Sequence, residues 1–149
     1  MKNKKLRVLL FDIETAPNLG YIWGKYEQDV IGYVSEWYML CFAYKWLGEK
    51  TTYAYSLPDF KKEYKKNKED DSALVKRLWH LFNEADIIIA HNGNSFDIKK
   101  TNARFLTHGL PPPEPYKTID TKLVAKRYFN FNSNKLDDLG ATLNVGRKI

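Results

Sequence analysis

Asp12 and Glu14 stand two residues apart at the end of an apolar run, residues 6–13. If that run is a strand, its side chains alternate and both carboxylates point to the same side. Neighbouring carboxylates repel, and each resists ionising; on an apolar strand each also needs a partner to offset its desolvation. A divalent cation answers both problems, and carboxylate oxygens favour Mg²⁺ or Mn²⁺ over zinc. Alone, Asp-x-Glu is short and common, and two acids facing solvent at a strand end explain it better. Asp97 is the third acid of interest. It follows Asn92-Gly93-Asn94-Ser95-Phe96 directly after the apolar residues 86–90. That puts it near the carboxyl end of a strand and the start of a helix, where open α/β sheets place their sites. Taken singly, Asp97 reads as a helix N-cap.

The elements that must hold these acids are legible in the apolar pattern. Residues 6–13 read as a buried strand, broken by residues 15–20. Residues 38–46 and 51–56 are further strands joined by a turn at Leu47-Gly48-Glu49-Lys50, hence antiparallel neighbours. Asp70, Asp71 or Ser72 can cap a helix running to residue 85, with Leu74, Val75, Leu78, Leu81 and Phe82 at helical spacing. Residues 86–90 form a short strand. Residues 97–107 form a helix closed by Gly109, and Pro111-Pro112-Pro113-Glu114-Pro115 is a stiff connector. Residues 117–119 read as a strand, 121–128 as a helix, and 133–144 as a capped helix with Leu136, Leu139 and Leu143 on one face. This order gives an α/β fold, a mixed sheet with helices packed on it. With 149 residues the chain fits one domain and leaves no room for two.

Phe11-Asp12-Ile13-Glu14-Thr15 followed by Asn92-x-x-x-Phe96-Asp97 resembles the first and second motifs of the DEDD-type 3′→5′ exonucleases. These belong to the ribonuclease-H-like superfamily and include the proofreading domains of family B DNA polymerases and their stand-alone bacterial and phage relatives. Ile119-Asp120-Thr121 and Ser133-Asn134-Lys135-Leu136-Asp137-Asp138-Leu139-Gly140 are similar to later segments of that family. The resemblance covers nearly the whole chain. It implies a ribonuclease-H-like mixed sheet flanked by helices, and two-metal hydrolysis of a phosphodiester at a 3′ end. Carried over residue by residue, Asp12 bridges two Mg²⁺ or Mn²⁺ ions, with Glu14 and Asp97 completing the ligand set. The backbone at Ile13 to Thr15, together with Asn92, contacts the terminal nucleotide. Phe96 sits at the same edge and packs the motif in place rather than stacking on a base. Single-stranded DNA is the expected substrate, with RNA its nearest alternative, since neither motif reports on the sugar.

One feature departs from the family pattern. A fourth carboxylate is needed on a late helix, preceded by a Tyr or His that orients water. The acids after Asp97 are Glu114, Asp120, Asp137 and Asp138, and none lies in such a setting. Tyr116 precedes Asp120, but on the connector and strand. Asp120 therefore reads as support for the sheet or the edge of the site, and Asp137 and Asp138 as first-turn acids matching a helix dipole. The expectation is a domain incomplete at its C-terminus, its third motif encoded further on or supplied by a partner chain or polymerase. A chain that keeps the fold without the full metal site is instead a nucleic-acid-binding or accessory module, or one part of a split exonuclease.

Other residues carry two readings each. Trp23, Tyr26, Trp37 and Tyr38 offer stacking surfaces for single-stranded ends or ordinary packing, with Trp23 and Tyr26 the exposed pair. Lys99, Lys100 and Arg104 either steer a phosphate backbone or form a solvent face. His91 reads as a loop histidine with local hydrogen bonds, His80 as part of a helix's inner face, and neither His80 nor His108 has metal-ligand spacing. The net charge of +6 points to an acidic partner. It does so weakly, because the lysines of residues 61–68 precede three acids and read as a solvated loop. Cys41 is the sole cysteine, which excludes an internal disulfide and a cysteine zinc cluster. No apolar run approaches the roughly 20 residues needed to cross a bilayer, and the N-terminus lacks signal-peptide form. The chain is expected to be soluble, in the cytoplasm of a bacterium or phage-infected cell.

Overall fold

In β1 (Val8–Thr15) the period of two sorts the side chains by face. Leu9, Phe11 and Ile13 are buried, whereas Asp12 and Glu14 on the opposite face are exposed. The strand is thus half-buried rather than fully buried, and it runs two residues past the expected end, to Thr15. The computed structural model describes residues 5–26 and 29–147. Within them, β2 (Leu19–Tyr21) and β3 (Gly32–Ser35) form a separate two-stranded sheet. The main sheet adds β4 (Met39–Trp46), β5 (Tyr53–Ser56), β6 (Ile87–Ala90) and β7 (Lys117–Asp120) to β1. Its order is β5-β4-β1-β6-β7, with β1 antiparallel to β4 and parallel to β6. Beside these strands lie α1 (Lys61–Lys66), α2 (Ser72–Glu84), α3 (Asp97–Thr107), α4 (Thr121–Tyr128) and α5 (Leu136–Thr142). This is the mixed α/β arrangement that the element order calls for.

The core lies between one face of the sheet and α2 with α3. Leu74, Val75, Leu78, Leu81 and Phe82 of α2 meet Leu9, Phe11, Phe42 and Tyr44 from the strands, with Ile98 and Phe105 from α3. Phe82 sits at the centre, edge-on to Phe11, Phe105 and Tyr116 at centroid separations of 5.1, 5.3 and 5.4 Å. That geometry suits the ring quadrupoles. The opposite face carries Leu10, Ala43 and Ile89, all half-buried beside a groove that Thr121 and Leu136 border.

Asp71 locks three elements together. It holds the N-cap position of α2 but makes no capping bond. Its fully buried carboxylate accepts instead from the Met39 backbone N–H at 2.8 Å, from Arg104 through Nε at 2.8 Å and through Nη2, and from His108 Nε2 at 2.6 Å. Strand β4, the start of α2 and the end of α3 therefore converge on one charge.

Four expectations need correcting. The lysine-rich run is a helix, α1, rather than a loop; it buries none of its residues, so no apolar stripe announces it. The stretch after β1 is the β2–β3 hairpin rather than an irregular break. His80 is exposed rather than inward-facing. On α5, shorter than expected, only Leu139 is buried, while Leu136 and Leu143 remain 63% and 56% exposed.

Candidate active site

The pairing of β1 with β4 shifts register between Glu14 and Thr15. A bulge of this kind bends the strand and re-aims its side chains. Just beyond β6, residues 91–96 fold back sharply. Asn92 takes a left-handed φ of 63°, which asparagine tolerates. Gly93 passes so near Ala90 that an added Cβ would lie 2.5 Å from the alanine Cβ. Asp120, at the end of β7, holds this loop in place. Its carboxylate accepts from the backbone N–H groups of Asn92 at 2.9 Å and Asn94 at 3.1 Å, and caps α4 through those of Lys122 and Leu123. Supporting the edge of the site is the role its position suggested. Asp120→Ala is expected to cost about 2 kcal/mol, the sum of a lost cap and loop donors left without a partner. Urea unfolding at constant m-value measures it; a change under about 0.5 kcal/mol, the size of an ordinary surface substitution, would contradict this assignment.

Asp97 is the first residue of α3, yet its side chain does not cap that helix. Its Oδ1 accepts from the Ile13 backbone N–H at 3.2 Å, across 84 residues of chain, and the residue is 3% exposed. Burial, followed by the negative charge of Asp12, pushes the Asp97 carboxyl up to about 6, against the pull of the Ile13 N–H. Asp12 thus makes it harder for the buried Asp97 carboxyl to give up its proton. Cys41, opposite Glu14 on β4, lies in the same field; burial, with Glu14 and Asp12, raises its thiol.

One cleft of roughly 670 Å³ gathers Asp12, Glu14, Asn92, Phe96 and Asp97. Ile13 borders it too, but its side chain belongs to the core and its N–H is spent on Asp97. Thr15, past the bulge, does not line the cleft. Asp137 does, from the first turn of α5. The sequence marks it as a dipole-matching acid, and only the folded chain, which brings α5 to the cleft, reveals its second position. His91 is fixed by Thr121 Oγ1 and the Asn134 carbonyl, each at 2.9 Å, as a locally bonded loop histidine. Arg104 is drawn away to Asp71. Among the described residues no three His, Cys, Asp or Glu side chains draw together as a closed ligand cluster. The donor chemistry nonetheless fits a hard cation: Asp12, Glu14 and Asp97 offer carboxylate oxygens, and a divalent ion beside them displaces the proton that burial favours on Asp97.

A profile of the RNase_H superfamily matches residues 38–149. The DNA polymerase III PolC-type of Ureaplasma parvum is 32% identical over 83 residues, which are 54% of this chain and 6% of that polymerase. In fold, the chain is similar to the family B DNA polymerase from the hyperthermophilic archaeon Pyrobaculum calidifontis. The TM-score is 0.67 at 17% identity, over 97% of this chain and 19% of the polymerase. The chain thus spans a small part of the length of either relative. The five-stranded mixed sheet is the ribonuclease-H-like one expected from the first two motifs.

Proposed function

Since the chain belongs to the RNase H superfamily, we propose that it is a metal-dependent 3′→5′ exonuclease domain acting on single-stranded DNA. The observation that carries this reading is the gathering of Asp12, Glu14 and the buried Asp97 in one cleft. Both relatives are DNA polymerases, which supports a nucleic-acid substrate.

In the proposed reaction, water attacks the terminal phosphorus as the bond to the 3′-oxygen breaks, releasing a nucleoside 5′-monophosphate. Asp12, Glu14 and Asp97 would hold two Mg²⁺ or Mn²⁺ ions, which supply charge neutralisation and a water ionised near neutral pH. The chain's own residues do the rest. Asp97, tied to the Ile13 N–H, keeps its orientation relative to Asp12. The Asp120-anchored loop sets Asn92 and Phe96 at the edge where the terminal nucleotide enters. Without cations the three carboxylates repel a phosphodiester, so substrate binding in the cleft is itself metal-dependent. A polymerase or other partner chain that supplies a further carboxylate belongs to the same proposal.

The raised Asp97 carboxyl has a consequence for stability. Folded Asp97 titrates at about 6 against 3.8 in the unfolded chain, so the native state holds the extra proton between those values. The stability it contributes is complete below the unfolded value and lost as pH rises through the folded one. Mn²⁺ or Mg²⁺ is therefore expected to raise the melting temperature more at pH 7.5 than at pH 5, measured by thermal unfolding with and without EDTA. An equal rise at both pH values would contradict ligation through Asp97.

The proposal is tested with a 5′-labelled single-stranded DNA and its RNA counterpart, in Mg²⁺, Mn²⁺ and EDTA. A ladder shortening from the 3′ end, halted by a 3′-terminal phosphorothioate and by EDTA, supports it. No cleavage under any metal, with binding retained, gives way to the accessory-module reading.

A further inference from the structure

The β2–β3 hairpin exposes apolar side chains on both of its faces. Trp23 and Tyr26 are 85% and 84% exposed, and Tyr21, Leu19 and Tyr33 also face solvent. A two-stranded hairpin has no interior to hide them in, and alone is marginally stable. At its foot the Ala16 N–H bonds the Tyr38 carbonyl and the Trp37 N–H bonds Asn18 Oδ1. That foot begins two residues beyond Glu14. There Trp37 meets α3. Lys100 Nζ lies 3.8 Å from the centre of the Trp37 ring and 5.4 Å from that of Phe96, which lines the carboxylate cleft. Lys100 is one helical turn on from Asp97, so the two share a flank of α3. Burial lowers its ammonium. Arg104, also over Trp37, is already committed to Asp71.

We infer that the hairpin and the Trp37–Lys100–Phe96 ledge form the binding surface for the single strand outside the cleft, its bases on the hairpin aromatics and a backbone phosphate on Lys100. The occupant rests on the exonuclease reading; the surface rests on three observations. Its aromatic rings suit base stacking, which tolerates any sequence because every base has a π-face. Its cations, Lys100 and the Lys25 that sits 5.7 Å over Tyr26, suit phosphate. The surface is also continuous with the carboxylate cleft through Phe96. Both rings lie within cation–π reach of the Lys100 ammonium, which keeps the charge beside the cleft.

The test is equilibrium binding of a fluorescein-labelled oligo(dT) in EDTA, followed by anisotropy, so that no cleavage is required. The Trp23→Ala/Tyr26→Ala double variant is expected to weaken Kd by at least roughly fivefold. Lys100→Met is expected to flatten the slope of log K against log salt by about 0.7, the share of one phosphate contact on a single strand, and Lys100→Arg to restore it. Circular dichroism spectra checked against wild type keep a folding failure from being read as lost binding. Unchanged affinity and slope in both variants overturn the inference. So does a protein dimer that Trp23→Ala dissolves while oligonucleotide affinity stays put, since the hairpin would then be a self-association surface. Failure of the exonuclease reading looks different: no Asp12-dependent cleavage, with Trp23-dependent binding intact.

Discussion

Asp12→Asn is expected to slow phosphodiester cleavage by on the order of 10²–10³-fold while leaving the fold in place. Losses of that size follow removal of one electrostatic contributor to a charged transition state. Asp12 is exposed, so the substitution strips no packing, and its effect on stability belongs within the ~0.5 kcal/mol of ordinary surface changes. The local effect is specific. Asp12 is one of the groups that hold the Asp97 carboxyl up, so its neutralisation lets Asp97 ionise at lower pH in the metal-free protein. Single-turnover cleavage of a 5′-labelled strand at saturating Mn²⁺ gives the rate, and thermal unfolding gives the stability. A loss below about fivefold, roughly 1 kcal/mol of barrier, would remove Asp12 from the chemistry.

Asp71→Ala is expected to be the most damaging substitution away from the cleft, costing about 3–5 kcal/mol. The change leaves the Arg104 guanidinium, 14% exposed, without its counter-charge, and the Met39 N–H without its acceptor. Breaking a buried pair from one side costs far more than the pair contributes, because the survivor keeps its desolvation penalty. Against a typical total of roughly 5–15 kcal/mol, this consumes a large part of the stability. For a domain of this size the melting temperature should fall by roughly 6–20 °C. Adding Arg104→Met to Asp71→Ala removes the stranded charge and is expected to recover part of the loss. A double variant as unstable as the single one would place the cost elsewhere.

Legibility in the sequence followed burial. Leu9, Phe11 and Ile13, or Leu74, Leu78 and Phe82, alternate or recur because one face of each element packs against the core, and these elements could be read directly. The hairpin left no such trace, since Tyr21, Trp23 and Tyr33 are exposed and obey no period. The polar helix α1 was missed for the same reason. Asp12, Glu14 and Asp97 were legible as a set only through the order of their motifs; singly, each had a commonplace explanation. Asp71 looks like a helix cap in the sequence and sits at the cap position, but Arg104 and His108, more than thirty residues away, claim its oxygens. Asp137 entered the cleft by way of chain topology, which no local spacing records.

The strand order has a consequence in time. The carboxylates of β1 leave the ribosome before any other residue that lines the cleft, yet β1 lies between β4 and β6 and needs both. The bond from Ile13 to Asp97 spans 84 residues, which at about 5–20 residues per second take roughly 4–17 s to synthesise. Until then the nascent chain carries Asp12 and Glu14 with no Asp97 beside them. The cleft is therefore absent from the emerging polypeptide and is assembled late, since Asp120 of β7 and Asp137 of α5 follow Asp97 off the ribosome.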